Sequence, residues 1–201
     1  MRHLKIAALA LALASPLAIA DAGDWVFKFG AHNVDPKSDS GVLAGTFNAS
    51  VDANVQPTFT LEYFLTDNWS LEVLAALPFE HDVELDGVKA ATTKHLPPTV
   101  SFQYYFAPQA RVSPYLGLGV NYTRFFSEKT SGPLAGADLA LGSSWGLAAH
   151  AGIDFRINDQ WLFGIDLRKM DIDSDVRLNG ADIGSVAIDP LAYGLYLGYR
   201  F

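Results

Sequence analysis

Large apolar side chains recur at every second position in eight separate segments of this chain. In residues 161–168, WLFGIDLR, bulky apolar residues alternate with a set that includes glycine, aspartate and arginine. A period of two is the period of a β-strand that has one apolar face. Although 50% of the chain is hydrophobic, no stretch after residue 20 has the ~20 consecutive apolar residues of a membrane-spanning helix. We therefore predict an all-β protein and exclude helical membrane spans.

The connections between the eight predicted strands alternate in length. Short turns follow the second, fourth and sixth strands, at residues 66–68, 107–109 and 158–160, and long loops follow the other strands. This is the pattern of bacterial outer-membrane barrels, whose short turns face the periplasm. The sequence predicts an eight-stranded antiparallel up-and-down transmembrane β-barrel with long extracellular loops. A secreted sandwich or lipocalin-like barrel is the alternative, but the second face of the strands carries the glycines and charges that suit a narrow lumen.

Residues 1–20 have the features of a secretory signal peptide. Basic Arg2 and Lys5 precede an apolar run, and the segment ends in Ala18-Ile19-Ala20, a small-x-small cleavage site. An N-terminal membrane helix is less compatible with the interruption by Ser15-Pro16. We expect cleavage before Asp21, residues 21–201 to form a single transmembrane β-barrel domain, and the protein to reside in the bacterial outer membrane.

Charge and composition exclude several classes of function. Removal of residues 1–20 changes the formal net charge from −8 to −10, which argues against a nucleic-acid partner. The chain has no cysteine, so disulfides and thiolate sites are impossible. The histidines have no metal-ligand spacing, and the aspartates from Asp171 to Asp175 begin a calcium-loop pattern that fails at Val176 and Asp182. We predict no metal, no cofactor and no enzymatic activity.

Aromatic residues are concentrated where the predicted strands meet the short turns. Such residues form belts at membrane–water interfaces, which predicts contact with outer-membrane lipid. The predicted girdle consists of Trp25, Trp69, Phe106, Phe155, Trp161 and the terminal Phe201.

The residues of the opposite face are predicted to line the lumen at two heights. Charges without water must pair, so those of the periplasmic half are predicted to form a plug: Lys28, Glu62, Glu72, Asp154 and Arg200. Small or apolar residues, together with one charged pair, are predicted to line the upper lumen used for transport: Gly30, Leu74, Ala76, Thr99, Asn121, Ala148, Asp166 and Arg168. The Asp166–Arg168 pair is open to two interpretations, a structural salt bridge or a site for a polar head group.

Six segments carry a resemblance to known proteins: AALPFEHDVEL (residues 75–85), KHLPPTVSFQYYF (94–106), PYLGLGVNYTRFF (114–126), SWGLAAHAGIDF (144–155), MDID (170–173) and the terminal GYRF. With these segments the chain resembles the OmpW family of small outer-membrane barrels. The resemblance implies an eight-stranded barrel, a lumen that is apolar toward the outside, and passage of small hydrophobic molecules with lateral escape into the membrane; the alkane-uptake proteins belong to the same group.

We therefore predict a passive conduit for small hydrophobic or amphipathic solutes that functions as a monomer. The alternatives are a surface recognition barrel whose loops bind phage, bacteriocin or host molecules, and a lipid-modifying enzyme. The pairs Asp86-Gly87 and Asn179-Gly180 predict hairpin turns. The second and fourth long loops would then form β-ribbons above the membrane.

Overall fold

The computed structural model describes residues 21–201, so the predicted signal peptide lies outside the described residues. In that range the chain forms one 3₁₀ turn, Gly132–Leu134, and fifteen strands. The strands are β1 (Trp25–Asp35), β2 (Gly41–Leu43), β3 (Phe47–Val51), β4 (Asn54–Phe64), β5 (Trp69–Ala76), β6 (Phe79–Leu85), β7 (Val88–Leu96), β8 (Thr99–Tyr105), β9 (Val112–Thr130), β10 (Leu139–Leu141), β11 (Ser144–Arg156), β12 (Trp161–Met170), β13 (Asp173–Leu178), β14 (Ala181–Ala187) and β15 (Leu191–Arg200).

Eight of these strands form a closed antiparallel barrel. Their order around the wall is β1, β4, β5, β8, β9, β11, β12 and β15, and β15 pairs with β1 to complete the circle. The two ends of the barrel sheet are joined by reciprocal backbone hydrogen bonds between Trp25 and Phe201, of 3.2 and 3.0 Å. Closure leaves no unpaired edge along this seam, as a β-structure in lipid requires. The predicted eight-stranded barrel is confirmed.

No helix within residues 21–201 is long and apolar enough to cross a lipid bilayer.

The alternating pattern of the sequence becomes an alternation of exposure. Along β12 every residue from Trp161 to Met170 switches between exposed and buried. Leu118 and Leu147 are 71% and 69% exposed on the outer wall, whereas Glu62 and Gln103 are fully buried inside it. Apolar side chains therefore face the lipid and polar ones face the lumen, as predicted.

The seven remaining strands extend the structure above the long-loop end of the barrel. Strands β6 and β7 form one hairpin around Asp86-Gly87, and β13 and β14 form another around Asn179-Gly180. All four turn residues have positive φ, from 50° to 80°, as a two-residue hairpin turn requires. Both predicted ribbons are confirmed.

A third hairpin, between β2 and β3, was not predicted. It pairs Gly41–Leu43 with Phe47–Val51 and continues the sheet through β3 and β6. Its strands are only three and five residues long, so the apolar alternation that identifies a strand is weak there. The extension is thus a small sheet-lined structure rather than a set of irregular loops.

The interior is divided into two hydrophobic clusters with a polar zone between and around them. An aromatic cluster fills the short-turn half of the barrel: Val26, Phe64, Tyr105, Tyr115, Leu162 and Tyr196. A second cluster continues from the top of the barrel into the extension: Val34, Leu43, Ala49, Phe79, Leu85, Ala90, Phe125, Ala148, Met170, Ile172, Val176, Val186, Ile188 and Ala192.

Candidate functional site

The lower lumen holds a buried ion cluster around Lys28. Its ammonium group lies 2.9 Å from Glu62 and 3.5 Å from Asp154. The Tyr105 hydroxyl accepts a hydrogen bond from Lys28 at 3.1 Å and lies 3.1 and 3.2 Å from oxygens of Glu62 and Asp154. Lys28 and Glu62 are 2% and 0% exposed. Charges removed from water to this degree require such pairing and hydrogen bonding, so this cluster is part of the packed interior of the barrel.

A second cluster lies around Arg168, higher in the lumen. The guanidinium donates to Glu72 at 2.7 Å and to Asp166 at 3.3 Å. Asp166 also lies 3.0 Å from a ring nitrogen of His150 and 3.5 Å from one of His32. Of the two interpretations of the Asp166–Arg168 pair, the geometry agrees with the salt bridge. The observed cluster differs from the predicted grouping in two respects. Glu72 pairs with Arg168 rather than with Lys28, and Asp166 and Arg168 belong to the charged residues that fill the lumen rather than to an open upper lining.

Tyrosines connect the two ion clusters. The Tyr115 hydroxyl donates to Asp166 at 3.1 Å and lies 3.0 Å from the Tyr196 hydroxyl. Tyr196 in turn donates to Asp154. A Cβ at Gly152 would collide with the Tyr115 ring, which explains why glycine stands in the wall opposite it. The lower lumen is therefore filled continuously by rings and paired charges, and it leaves no straight route through the barrel.

Arg200, which was predicted to join the plug, lies at the short-turn mouth. It forms an ion pair with Asp24 and a looser one, at 3.7 Å, with Asp21. The predicted girdle residues are all exposed on the outer wall, with fractions from 36% for Phe155 to 65% for Phe201. Their role as an interfacial girdle stays a prediction.

The residues predicted to line the upper lumen fall into different environments. Thr99 and Asn121 each donate a side-chain hydrogen bond to the carbonyl of Pro97, at 3.1 and 3.0 Å, and so hold the Pro97-Pro98 segment in place. Leu74 is buried at 7% exposure, where the pairing of β5 with β8 ends.

The other predicted lining residues are small. Ala148 packs into the upper apolar cluster, and Ala76 packs against that cluster from its edge. Gly30 lies lower, beside Tyr196, where a Cβ would collide with the neighbouring strand. A transport role for all of these residues stays a prediction.

An apolar cavity lies above the barrel, in the extension, where the sequence did not indicate one. It is a cavity of about 430 Å³ enclosed by several ribbons and by the 3₁₀ turn. Its walls include Leu43, Phe47, Val83, Leu85, Ala90, Ala91, Phe125, Leu134, Leu139, Leu141, Val176, Ile183 and Val186. An apolar cavity of ~150 Å³ already takes up benzene, and this cavity is about three times as large.

Two histidines of the β6–β7 ribbon interrupt this apolar wall. His81 and His95 line the cavity, and their rings stack at 4.9 Å between centroids with a 4° interplanar angle. Phe79 and Phe125 flank His95 at 5.4 and 5.7 Å. Burial lowers the pKa of His95 to about 3, with a further contribution from the neighbouring His81. Burial also lowers the pKa of His81, so both imidazoles are neutral at physiological pH. The spacing of the histidines in the sequence did not indicate this pair, which forms because β6 and β7 are paired in one hairpin.

The wall of the barrel is interrupted beside this histidine pair. The pairing of β5 with β8 ends at Leu74–Thr99, and the pairing of β6 with β7 resumes at Phe79–His95. At ~3.3 Å per residue the five steps from Leu74 to Phe79 span roughly 16 Å. The intervening residues include Pro78, Pro97 and Pro98, which have no N–H to donate across the gap.

The flanking strands stay paired around this interruption. Leu77 donates to the Pro57 carbonyl on one side, and Tyr122 donates to the Pro98 carbonyl on the other, both at 3.0 Å. The gap is therefore a local, bounded weakness in the wall. His95 is part of both the cavity lining and the residue pair at the upper border of the gap.

Comparisons with known proteins agree over the whole described chain. The model of the OmpW family matches residues 21–201. Outer membrane protein W of Escherichia coli (strain K12) is 40% identical, over 100% of both chains. Outer membrane protein W of Vibrio cholerae serotype O1 is 37% identical, over 98% of this chain and 97% of that protein. The crystal structure of the outer membrane protein OprG from Pseudomonas aeruginosa aligns with a TM-score of 0.81 at 35% identity, over 90% of this chain and 97% of that chain.

Proposed function

The chain belongs to the OmpW family of outer-membrane proteins, and on that premise we propose that it is a passive, non-enzymatic conduit for small hydrophobic or amphipathic molecules. In this proposal, solutes enter the apolar cavity of the extracellular extension and leave sideways into the membrane. The observation that carries it is the combination of a large apolar cavity with a blocked lumen and an interrupted wall.

The cavity provides favourable but modest binding. A chain of eight methylenes gains about 6 kcal/mol on burial at ~0.8 kcal/mol per methylene, and association costs several kcal/mol in lost freedom. The net affinity is weak, which suits a molecule that must be released again. The apolar walls also shield a hydrophobic solute from water while it is inside the extension.

The route out of the cavity is expected to be lateral. The ion clusters of Lys28 and Arg168 fill the lumen below, and displacing paired buried charges is costly. The gap between Leu74–Thr99 and Phe79–His95 requires no such displacement, because its backbone ladder is already absent. One chain closes its own barrel and contains the whole route, so a monomer is sufficient.

Restoring the missing ladder tests this proposal. Replacing both Pro97 and Pro98 by valine gives this segment strand-forming residues and returns an N–H donor at position 97 to the edge of the gap, whereas the backbone of residue 98 faces Tyr122 on the flanking strand. We expect slower uptake of a hydrophobic probe such as octane by a deletion strain that carries this variant, compared with the strain that carries the wild-type gene. Uptake at the wild-type rate, with the variant folded and present in the outer membrane, would argue against lateral release.

A charge at the lower border of the gap provides a second test. Leu74→Asp places a carboxylate next to the proposed exit, where a hydrophobic solute would have to pass it, so slower uptake is expected. The same uptake in this strain, the deletion strain and the wild-type strain would refute the conduit itself.

A further inference from the structure

The two histidines of the cavity have ring nitrogens without hydrogen-bond partners. Within residues 21–201, neither ring nitrogen of His95 has a partner, and His81 Nε2 has none either. His95 and His81 are 1% and 2% exposed. Buried polar atoms are normally hydrogen-bonded, and leaving them unpaired is costly. Three unpaired nitrogens on the wall of a cavity therefore point to a polar group that enters it.

The arrangement supplies one acceptor and at least one donor. His81 Nδ1 lies 2.6 Å from the backbone carbonyl of Asp52. Because a carbonyl can only accept, Nδ1 carries the proton, and Nε2 is left as an acceptor. A neutral His95 has one N–H donor and one acceptor in either tautomer. A hydroxyl group, which both donates and accepts, can therefore bond with either ring.

The cavity is unsuited to a charged group. Among its lining residues in the described chain, Asp86 alone bears a charge, and it lies in the hairpin turn. A carboxylate would therefore find no cation, and any ion would lose its hydration without adequate compensation. The group that fits is uncharged.

A metal ion is also unsuited to the pair. Imidazole lone pairs lie in the plane of the ring, and two rings stacked at 4.9 Å with planes 4° apart direct them along parallel lines. They cannot meet at a common point ~2.0–2.1 Å from each nitrogen. No cluster of three or more potential metal ligands is present in residues 21–201.

We propose that His81 and His95 form a hydroxyl-binding subsite, so that the cavity prefers an alcohol or phenol with an apolar skeleton over a hydrocarbon of the same size. This inference rests on the proposed function and names the substrate class of the same cavity. Because His95 also borders the gap in the wall, the hydroxyl would be held where the molecule turns from the cavity toward the exit.

The test compares 1-naphthol with 1-methylnaphthalene, which share a two-ring skeleton and differ in a hydroxyl against a methyl group. Binding is measured on the full barrel in lipid nanodiscs, with each affinity corrected for partition of the probe into lipid. One hydrogen bond of ordinary net strength predicts about fivefold tighter binding of 1-naphthol. Ring ¹⁵N NMR should report the contact as shifts of His81 and His95 with 1-naphthol that are absent with 1-methylnaphthalene.

Three variants accompany the wild type. In His95→Phe the affinity ratio should fall toward one, and His95→Gln, which keeps a donor and an acceptor, should recover part of it. Lys94→Ala is the matched control on the same strand, since the Lys94 side chain is 41% exposed, pairs with Glu80 at 3.1 Å and does not line the cavity; this variant should keep the wild-type ratio. The ring shifts of the wild-type protein provide a readout that does not depend on any variant folding.

The outcomes separate this inference from the proposed function. Equal affinity for both probes, without shifts of the histidine rings, would overturn the hydroxyl subsite and leave the conduit intact. If neither probe entered the cavity, both the subsite and the conduit would be refuted. Tight zinc binding that shifts the same ring nitrogens and is reversed by chelator would replace the subsite with a metal site.

Discussion

Filling the apolar cavity should stop transport while the barrel itself stays folded. Ala90 and Ala91 are both fully buried and both line the cavity. Each Ala→Phe substitution adds one phenyl ring, and a benzene molecule occupies a cavity of ~150 Å³. The double variant would therefore use roughly 300 Å³ of the cavity, whose volume is about 430 Å³. The remaining space holds about one small ring.

The loss of volume translates into a loss of affinity. If the remaining space shelters about three of eight methylenes, the five that are excluded remove about 4 kcal/mol at ~0.8 kcal/mol each. That corresponds to a fall in affinity of about a thousandfold. Uptake of octane by a deletion strain that carries the double variant should drop to nearly that of the empty strain, and Ala91→Phe alone should have an intermediate effect.

Val42→Phe is the matched control for this experiment. Val42 is 49% exposed on β2 and does not line the cavity, so it adds the same ring to the same extension outside the proposed route. Overpacking costs about 1–3 kcal/mol, and heat-modifiability on gels would verify that each barrel is folded. A folded double variant that transports octane at the wild-type rate would refute the reasoning.

Two further predictions concern buried charge. Lys28→Met leaves Glu62 and Asp154 without their cation and should destabilise the barrel by about 3–5 kcal/mol in urea unfolding from lipid; a double Lys28→Met, Glu62→Gln variant that is no more stable than the single one would contradict the pairing. The pKa of His95, lowered by burial and by the neighbouring His81 to about 3, predicts acid loosening of the β6–β7 ribbon. The opened ribbon takes up a proton on His95 near the ordinary pKa of ~6.5, whereas the closed ribbon does so only near the lowered pKa. The free energy that keeps the ribbon closed therefore decreases as the pH is lowered from the ordinary pKa to the lowered one, by at most about 1.4 kcal/mol per pH unit. The protection factors of the ribbon amides, which are exchange rates corrected for the intrinsic pH dependence of amide exchange, should fall as the pH is lowered over this range. The other titratable groups beside this ring are His81, which stacks on His95, and Asp52, whose carbonyl contacts His81. His95→Phe should remove most of the effect, and unchanged protection factors from pH 7 to 4 would contradict it.

The membrane part of the fold was predictable because lipid imposes a simple rule. Every second residue of a strand such as β12 must be apolar, and short turns must alternate with long loops. Both features can be recognised directly in the sequence. The inward position of Lys28, Glu62 and Arg168 followed from the same alternation. Their partners did not, because cross-barrel distances depend on the stagger of the strands, which alternation does not reveal.

The extension was only partly predictable. Asp86-Gly87 and Asn179-Gly180 mark their turns because positive φ favours these residues, whereas β2 and β3 carry no comparable signal. The cavity was missed because it forms between ribbons that are distant in sequence, such as β7 and β13. The strongest available signal was His95 followed directly by Leu96, Pro97 and Pro98, a polar ring next to a break in strand pairing.

Photolabelling is the most direct measurement of the proposed route. A small alkyl diazirine, added to the outside of cells and activated by light, would be mapped onto the protein by mass spectrometry. The proposed route predicts labels in the cavity at Leu139 and Val176 and at the gap near Leu77, with the gap labels reduced in the Ala90→Phe, Ala91→Phe variant. Labels on Tyr115 and Tyr196 in the lower lumen, at the expense of the gap, would show straight passage through the barrel and contradict it.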